Sequence, residues 1–200
     1  MRLLFGTTSK GKWSEASQAL PSLEVLFPRD LGLEGEPIED GATFAENARI
    51  KVHWYASASG ERLVLAEDAG LVVDALGGAP GVYSSRYGQD DASRNLRLLE
   101  ELEKVPAEKR TATFVSLFAL WVGPATTLLW EARTTGFILD APKGEGGFGY
   151  DPLFFHTGLG KSFAQASIPE KASVSHRGKN LDSLKRWLKG WRHPTRPYRP

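Results

Sequence analysis

The chain has 200 residues, of which 41% are hydrophobic and 24% are charged, and its formal net charge is +1. This balance is ordinary for a globular protein and argues against a duplex-binding surface, which usually carries a strong basic excess. The absence of cysteine excludes disulfides, thiolate metal sites and cysteine nucleophiles. The longest apolar run, 114–122, is far short of the roughly 20 residues that a membrane span needs, and no signal peptide is visible. We therefore expect a cytoplasmic protein that binds neither nucleic acid nor membrane.

Strands and helices alternate in the N-terminal half. Ser9 can cap a helix that Pro21 ends, and Thr43 with Glu46 has the pattern of a capping box at the start of a second helix. A buried strand is expected to end at Ala66, before the charged residues that follow. The predicted elements are a strand at 2–5, a helix to about residue 20, a strand at 25–27, a loop at 29–41, a helix at 43–57, a strand at 63–66 and a turn at 77–81.

Two long predicted strands, rich in β-branched and aromatic residues, dominate the second half. Before them, Leu96, Leu99 and Leu102 have helical spacing in a helix that starts near Asp91 and ends before Pro106. The predicted elements are this helix, strands at 111–122 and 126–139 joined by a turn at 123–124, and a final helix at 179–189.

Helices and strands are mixed along the whole chain, which predicts an α/β fold with an elongated mixed sheet flanked by helices. One domain is expected over residues 1–190. Residues 191–200 contain three Pro and three Arg, and we expect them to form a loose tail.

The first strand, turn and helix form a candidate phosphate site. Free backbone N–H groups and the dipole at a helix N-terminus attract anions. Thr7, Thr8 and Ser9 add hydroxyl groups, and Lys10 and Lys12 add positive charge. The segment lacks the pattern of a Walker loop. An ordinary capped helix with solvated lysines is the alternative.

Two pairs of acidic residues form a candidate metal site. Glu39 and Asp40 close an acidic loop, and Glu67 and Asp68 are predicted to follow a buried strand directly. In α/β sheets ligands gather at the carboxyl ends of strands, and paired carboxylates suit Mg²⁺. The alternative is that Glu67 and Asp68 only turn the chain before Gly70.

A glycine-rich segment with aromatic residues is a candidate base-binding loop. Four glycines fall within 144–149, so that the backbone there can approach a ligand closely. The rings of Phe148 and Tyr150 could stack on a base, and Asp151 supplies an acceptor. A tight surface turn whose aromatic residues pack on the core is the alternative.

Cationic residues cluster near the last predicted helix. Lys171 is followed by His176, Arg177 and Lys179 within nine residues. Arginine can bind phosphate in a bidentate manner or donate to the acceptor edge of a base, and histidine could donate to a base carbonyl. A solvated helix entry is the alternative. The sequence supports neither a zinc site nor a Gly-x-Ser-x-Gly hydrolase.

Six segments occur in an order that resembles the inosine triphosphate pyrophosphatase family. The resemblance covers residues 2 to about 189. The matching segments are Thr7 to Lys12, Glu39 to Ala48, Glu67 to Leu71, Leu76 to Tyr87, Gly147 to Pro152 and Ser175 to Gly178.

The resemblance implies an elongated mixed sheet in two lobes with a deep nucleotide-binding cleft between them. It also implies a homodimer that depends on Mg²⁺ and acts on deaminated purine nucleoside triphosphates, namely ITP, dITP and XTP. Cleavage between the α- and β-phosphates would give the monophosphate and pyrophosphate.

Site residues implied by the resemblance are those that match the family's segments. Asp68 would be the general base, and Glu39 and Asp68 would bind Mg²⁺. The residues implied to bind substrate are Thr7, Thr8, Ser9, Lys10, Gly11, Lys12, Ala69, Phe148, Gly149, Tyr150, Asp151, Lys171, His176 and Arg177. We further expect His176, Arg177 and the Phe148–Gly149 backbone to donate hydrogen bonds to the 6-oxo group of the base.

Two departures from the family pattern affect this expectation. Ser9 stands where the family usually has Asn, and Ala69 stands where a serine hydroxyl often contacts substrate. Two alternative functions stay open on the sequence: a pyrophosphatase for other modified nucleotides, and a nucleotide-binding module without catalytic activity.

Overall fold

A seven-stranded mixed sheet forms the centre of the protein. The computed structural model describes residues 1–124 and 126–191. The strand order is β2-β1-β3-β4-β5-β6-β7, with β1 parallel to β2 and β3 and the remaining pairs antiparallel. The predicted α/β class is confirmed. The strands are β1 Arg2–Gly6, β2 Glu24–Leu26, β3 Val64–Val73, β4 Thr111–Gly123, β5 Thr126–Ile138, β6 Phe154–His156 and β7 Lys161–Ser162.

Within the described ranges, five α-helices flank this sheet, and polar caps set where they begin. Ser9 accepts a hydrogen bond from the backbone N–H of Lys12, and Thr43 and Glu46 form the predicted capping box. Both helix starts are therefore confirmed. The helices are α1 Lys10–Ala19, α2 Phe44–Ser59, α3 Asp91–Glu101, α4 Ile168–Val174 and α5 His176–Gly190.

Successive side chains of a strand point to opposite faces of the sheet, so the core is divided between the two faces. Leu3 and Phe5 of β1 pack with residues of α1 and α5, whereas Leu4 packs with residues of α2. A third cluster joins Leu98 and Leu102 of α3 to aromatic residues of β4 and β6. The sheet thus lies between helices on both faces. Its division into two lobes stays a prediction, as does a single domain over 1–190.

The structure differs from the sequence predictions of the elements at four points. β3 continues through Glu67 and Asp68 instead of ending at Ala66, because β4 pairs with it along its whole length. Residues 168–174 form α4, which was not predicted, and α5 begins at His176 rather than at residue 179. Leu96 is 58% exposed, so Leu98 and Leu102 form the buried face of α3. Of the predicted tail, 192–200 lie outside the described residues.

No helix in the described ranges is both long and apolar enough to cross a membrane.

A close approach between α4 and α5 depends on Gly178. A Cβ atom at this position would lie 1.8 Å from the backbone oxygen of Ala172. We expect Gly178→Ala to lower the free energy of unfolding by about 1–3 kcal/mol in urea titrations, because α4 must move away. The matched control is Gly190→Ala in the same helix, where the added Cβ meets open space. Equal stability of the two variants would contradict this packing argument.

Candidate functional site

A cavity of about 430 Å³ opens beside the middle of β3. This volume lies within the range of small-molecule sites. The cavity brings together nearly all of the site residues predicted from the sequence. Those that line it are Thr7, Thr8, Ser9, Gly11, Lys12, Glu39, Asp68, Ala69, Phe148, Gly149, Tyr150, Asp151, Lys171, His176 and Arg177. Lys10 is exposed and is not among the described residues that line the cavity.

The N-terminus of α1 forms one wall. The Ser9 hydroxyl accepts from the Lys12 backbone N–H at 3.3 Å, and the Ser9 N–H donates to Thr7 Oγ1 at 3.1 Å. The Ser9 side chain is thus used as the helix cap. A Cβ at Gly11 would lie 2.6 Å from the ring of Phe148, so glycine allows that ring to pack on α1.

Glu67 lies fully buried at the base of the cavity, and each of its oxygens is paired. Ser116 Oγ donates to Oε1 at 2.7 Å, Arg177 Nε donates to Oε2 at 2.9 Å, and Lys12 Nζ lies 3.5 Å from Oε2. Burial alone would raise the pKa of Glu67, but the charges of Arg177 and Lys12 hold it well below its usual range. Glu67 is therefore ionised at neutral pH and pairs with the cations around it.

Glu15 of α1 was missed in the sequence and connects two cations of the site. Its oxygens accept from Lys171 Nζ at 2.8 Å and from Arg177 Nη1 at 2.7 Å. Lys171 also donates to Asp151 at 2.5 Å. Glu15 follows Lys12 by three residues, a spacing that places both on one helix face and could have pointed to it. We call the connected set Lys12, Glu67, Arg177, Glu15, Lys171 and Asp151 the charge network.

Lys51 of α2 was also missed, and it joins the two carboxylates predicted to bind metal. Its Nζ donates to Glu39 Oε2 at 2.9 Å and to Asp68 Oδ1 at 2.6 Å. Asp68 Oδ2 is buried and has no hydrogen-bond partner within the described ranges. Burial raises the pKa of Asp68, while the Lys51 ammonium opposes this effect. Nothing in the local sequence marks Lys51, because its contacts are tertiary.

The donor set beside Lys51 fits a hard divalent cation. Glu39 and Asp68 are held close together by a shared ammonium, and the free Oδ2 of Asp68 offers an oxygen ligand. Among the described residues there is no cluster of three or more His, Asp or Glu side chains that could hold a metal alone. Two carboxylates suit Mg²⁺, which keeps several waters and takes further ligands from substrate phosphates.

The 148–151 loop forms another part of the wall, and the backbone N–H groups of Phe148 and Gly149 are already engaged. Phe148 N–H donates to Asp151 Oδ2 at 2.9 Å, and Gly149 N–H donates to Asp91 Oδ2 at 2.6 Å. The expectation that these N–H groups are available to a base is corrected for this structure. Tyr150 is buried, and its hydroxyl donates to the carbonyl of Ser84 at 2.9 Å.

Cations face the ring of Phe148. Lys171 Nζ lies 4.7 Å and the Arg177 guanidinium 5.4 Å from the ring centroid. Such cation–π contacts are favourable, more so where water is excluded. The arrangement sets the ring of Phe148 beside the charge network.

His176 begins α5 and is almost fully buried. Its imidazole stacks on Phe114 with centroids 4.7 Å apart, and its Nδ1 has no hydrogen-bond partner in the described part of the chain. Burial, with a further contribution from the charge of Arg177, lowers the pKa of His176 well below its usual value. The ring is therefore neutral at pH 7 and can present one N–H donor and one acceptor.

These features define a class: an α/β protein whose central sheet carries a ligand cavity lined by a helix N-terminus, paired carboxylates and cations. Residues 3–187 match the sequence model of the Ham1 family, and the chain belongs to that family. The family assignment predicted from the sequence is confirmed.

Similar proteins cover nearly the whole chain. A dITP/XTP pyrophosphatase of Thermus thermophilus is 45% identical over 188 residues, covering 92% of this chain and 90% of the relative. One from Geobacter sulfurreducens is 45% identical over 195 residues, covering 95% and 97%. A solved HAM1 protein from Coxiella burnetii superposes with a TM-score of 0.84 at 34% identity, covering 96% of this chain and 100% of the other.

The free energy of unfolding, measured at decreasing pH, should show how Glu67 contributes to stability. Its folded-state pKa is depressed, so its stabilisation is complete above the ordinary value of 4.5 and is lost as the pH falls below it. We expect Glu67→Gln to cost about 3–5 kcal/mol at pH 7, because Arg177 loses a buried partner. Urea titrations should show that the difference in free energy of unfolding between wild type and Glu67→Gln shrinks between pH 5 and pH 3. The reason is that protonation of Glu67 removes its charge in the wild type.

The control for that experiment is Glu100→Gln, which changes an exposed carboxyl on α3. A difference between wild type and Glu67→Gln that stays constant with pH would contradict the assignment of Glu67 as a stabilising anion.

Proposed function

We propose that the protein is a nucleoside triphosphate pyrophosphatase that hydrolyses deaminated purine nucleoside triphosphates, namely ITP, dITP and XTP. The products are the nucleoside monophosphate and pyrophosphate. One observation carries the proposal: a single cavity combines the N-terminus of α1 with the buried, partly unpaired carboxylate of Asp68. The dITP/XTP pyrophosphatases that are 45% identical to this chain support it.

The phosphates would bind at the turn before α1. The N–H groups of the first helical turn and the hydroxyls of Thr7 and Thr8 are suited to phosphate oxygens. Lys12 would add charge, since its ammonium lies at the cavity beside Glu67. Lys10 would act only at a distance, since it is exposed.

Glu39 and Asp68 would hold a divalent cation, which we propose is Mg²⁺. When bound, such an ion offsets phosphate charge and favours formation of hydroxide from water. Lys51 supports these residues because its ammonium keeps the two carboxylates together without closing Asp68 Oδ2.

Asp68 would act as the general base. Lys51 donates to Oδ1 only, so Oδ2 keeps two lone pairs, one for the cation and one to accept a proton from an attacking water. The water oxygen forms a bond to the α-phosphorus as the bond from the α-phosphorus to the bridging oxygen breaks. Pyrophosphate leaves with part of its charge offset by Lys12.

Base selection would depend on side-chain donors. A 6-oxo purine presents an acceptor where adenine presents an amino group. Arg177 and the neutral His176 lie at the cavity and can donate there, so adenine would place a donor against a donor. Phe148 would offer its ring face to the base.

The homodimer implied by the resemblance is also part of the proposal, as is a cytoplasmic location without nucleic-acid or membrane partners. Light scattering of the purified protein would measure its mass, and a mass of one chain would reject the dimer.

A substrate panel tests the proposed activity. Pyrophosphate release with Mg²⁺ would be measured for ITP, dITP, XTP, GTP, ATP, dUTP and 7-methyl-GTP. We expect release from the first three only. Release from dUTP or 7-methyl-GTP alone would favour another modified nucleotide, and tight binding without release would favour a non-catalytic module.

We predict that Asp68→Asn lowers kcat for dITP by about 10²–10⁴-fold, because the amide cannot accept the proton. The dissociation constant of dITP, measured by calorimetry, should change much less. Asp74→Asn is the matched control, since Asp74 follows the same strand and is exposed. Turnover of Asp68→Asn near the wild-type value would remove Asp68 from the mechanism.

A further inference from the structure

Helix α3 holds the backbone on both sides of Gly149. The N–H of Gly149 donates to Asp91 Oδ2 at 2.6 Å, and its carbonyl accepts from Asn95 Nδ2 at 3.0 Å. The first bond fixes the peptide between Phe148 and Gly149, and the second fixes the peptide between Gly149 and Tyr150. Gly149 has a φ of 64°, a left-handed conformation that glycine adopts without strain. We call these two hydrogen bonds the α3 contacts.

Asp91 is free to make its contact because another residue caps the helix. The N-cap of α3 is Asp90, which exchanges capping-box hydrogen bonds with Ser93. The Asp91 carboxylate instead binds Gly149 through Oδ2 and Arg94 through Oδ1, at 2.7 Å. Asp91 and Asn95 are four residues apart and so lie on one face of the helix.

One oxygen of Asn95 is in an unfavourable environment. Its Oδ1 is buried and has no hydrogen-bond partner in the ranges that the structure describes. Such an atom destabilises a fold by about 1–3 kcal/mol, so an aliphatic residue of similar size would serve packing at least as well. The contact that requires an amide at this position is the one to the Gly149 carbonyl.

The α3 contacts determine where the neighbouring side chains lie in the cavity. Phe148 precedes Gly149, and its ring packs against Gly11 beside the charge network. Tyr150 follows Gly149, and its hydroxyl is bound to Ser84. A rotation of the Phe148–Gly149 peptide would therefore shift the Phe148 ring in the cavity wall, and a rotation of the Gly149–Tyr150 peptide would disturb the backbone next to it.

We propose that Asp91 and Asn95 are positioning residues for recognition of the nucleobase. They act through Gly149 by holding the backbone that directs the Phe148 ring. The inference rests on the proposed function for the identity of the ligand, whereas the α3 contacts themselves are independent of it. The phosphate end of the cavity and Asp68 lie on other elements, so base binding should respond more than the chemical step.

Kinetics of two removal variants and one rescue variant test this role. With dITP, Asn95→Leu and Asp91→Ala should raise KM about tenfold with little change in kcat, and should reduce the preference for dITP over dGTP. Asp91→Asn keeps an acceptor oxygen and should recover most of the loss. Asn95→Leu should change the thermal midpoint little, because removal of the unpaired buried oxygen offsets loss of the hydrogen bond to the Gly149 carbonyl. Glu100→Ala, on the exposed face of α3, is the control.

The result that overturns the proposal is wild-type KM and wild-type selectivity in both removal variants. Loss of activity that parallels loss of the thermal midpoint, without rescue in Asp91→Asn, would also overturn it, since that pattern indicates a structural role.

Measurements that do not require catalysis, namely dITP binding and NMR, distinguish failure of this proposal from failure of the proposed function. If the wild type releases no pyrophosphate, the proposed function fails, and dITP affinity measured by calorimetry decides the role of the α3 contacts. An approximately tenfold weaker Kd in Asn95→Leu supports it, whereas an unchanged Kd rejects it. The amide proton of Gly149, followed by NMR, should move upfield and exchange faster in Asp91→Ala; an unchanged amide would also reject it.

Discussion

The rest of the structure depends on ion pairs between charged side chains that become buried when the chain folds. Ionised side chains are strongly destabilising in a protein interior unless partners and hydrogen bonds compensate them. In the charge network, cations and anions alternate, and the links join α1, β3, α4, α5 and the 148–151 loop. The elements around the cavity are therefore held together by the same groups that would meet a charged ligand, and the removal of one partner leaves the next one unpaired.

Local signals in the sequence were sufficient for much of the fold. Ser9 and the Thr43–Glu46 capping box marked two helix starts, and the β-branched and aromatic residues on either side of the 123–124 turn marked the hairpin of β4 and β5. The end of β3 was predicted wrongly because Glu67 and Asp68 resemble a polar turn until their partners are known. Those partners come from distant parts of the chain: Arg177 lies 110 residues from Glu67.

Sequence motifs also identified most of the residues that line the cavity, although the roles of these residues stay predictions. The missing residues were Glu15, Lys51, Asp91 and Asn95. Each acts by holding another residue. The spacing of Glu15 from Lys12 could place Glu15 on the same helix face, but the Lys171–Glu15 contact spans 156 residues, so no local pattern reveals that contact. Motifs likewise could not reveal that the N–H groups of Phe148 and Gly149 are taken up by carboxylates, since that depends on the direction of each peptide.

The central functional claim is that the cavity directs water to the α-phosphorus of a bound triphosphate. Hydrolysis of dITP in water enriched in oxygen-18, followed by mass spectrometry of both products, tests this claim directly. Attack at the α-phosphorus places the label in the nucleoside monophosphate and leaves the pyrophosphate unlabelled. Label in the pyrophosphate, or release of orthophosphate in its place, would mean attack at another phosphorus and would contradict the geometry assigned to Asp68.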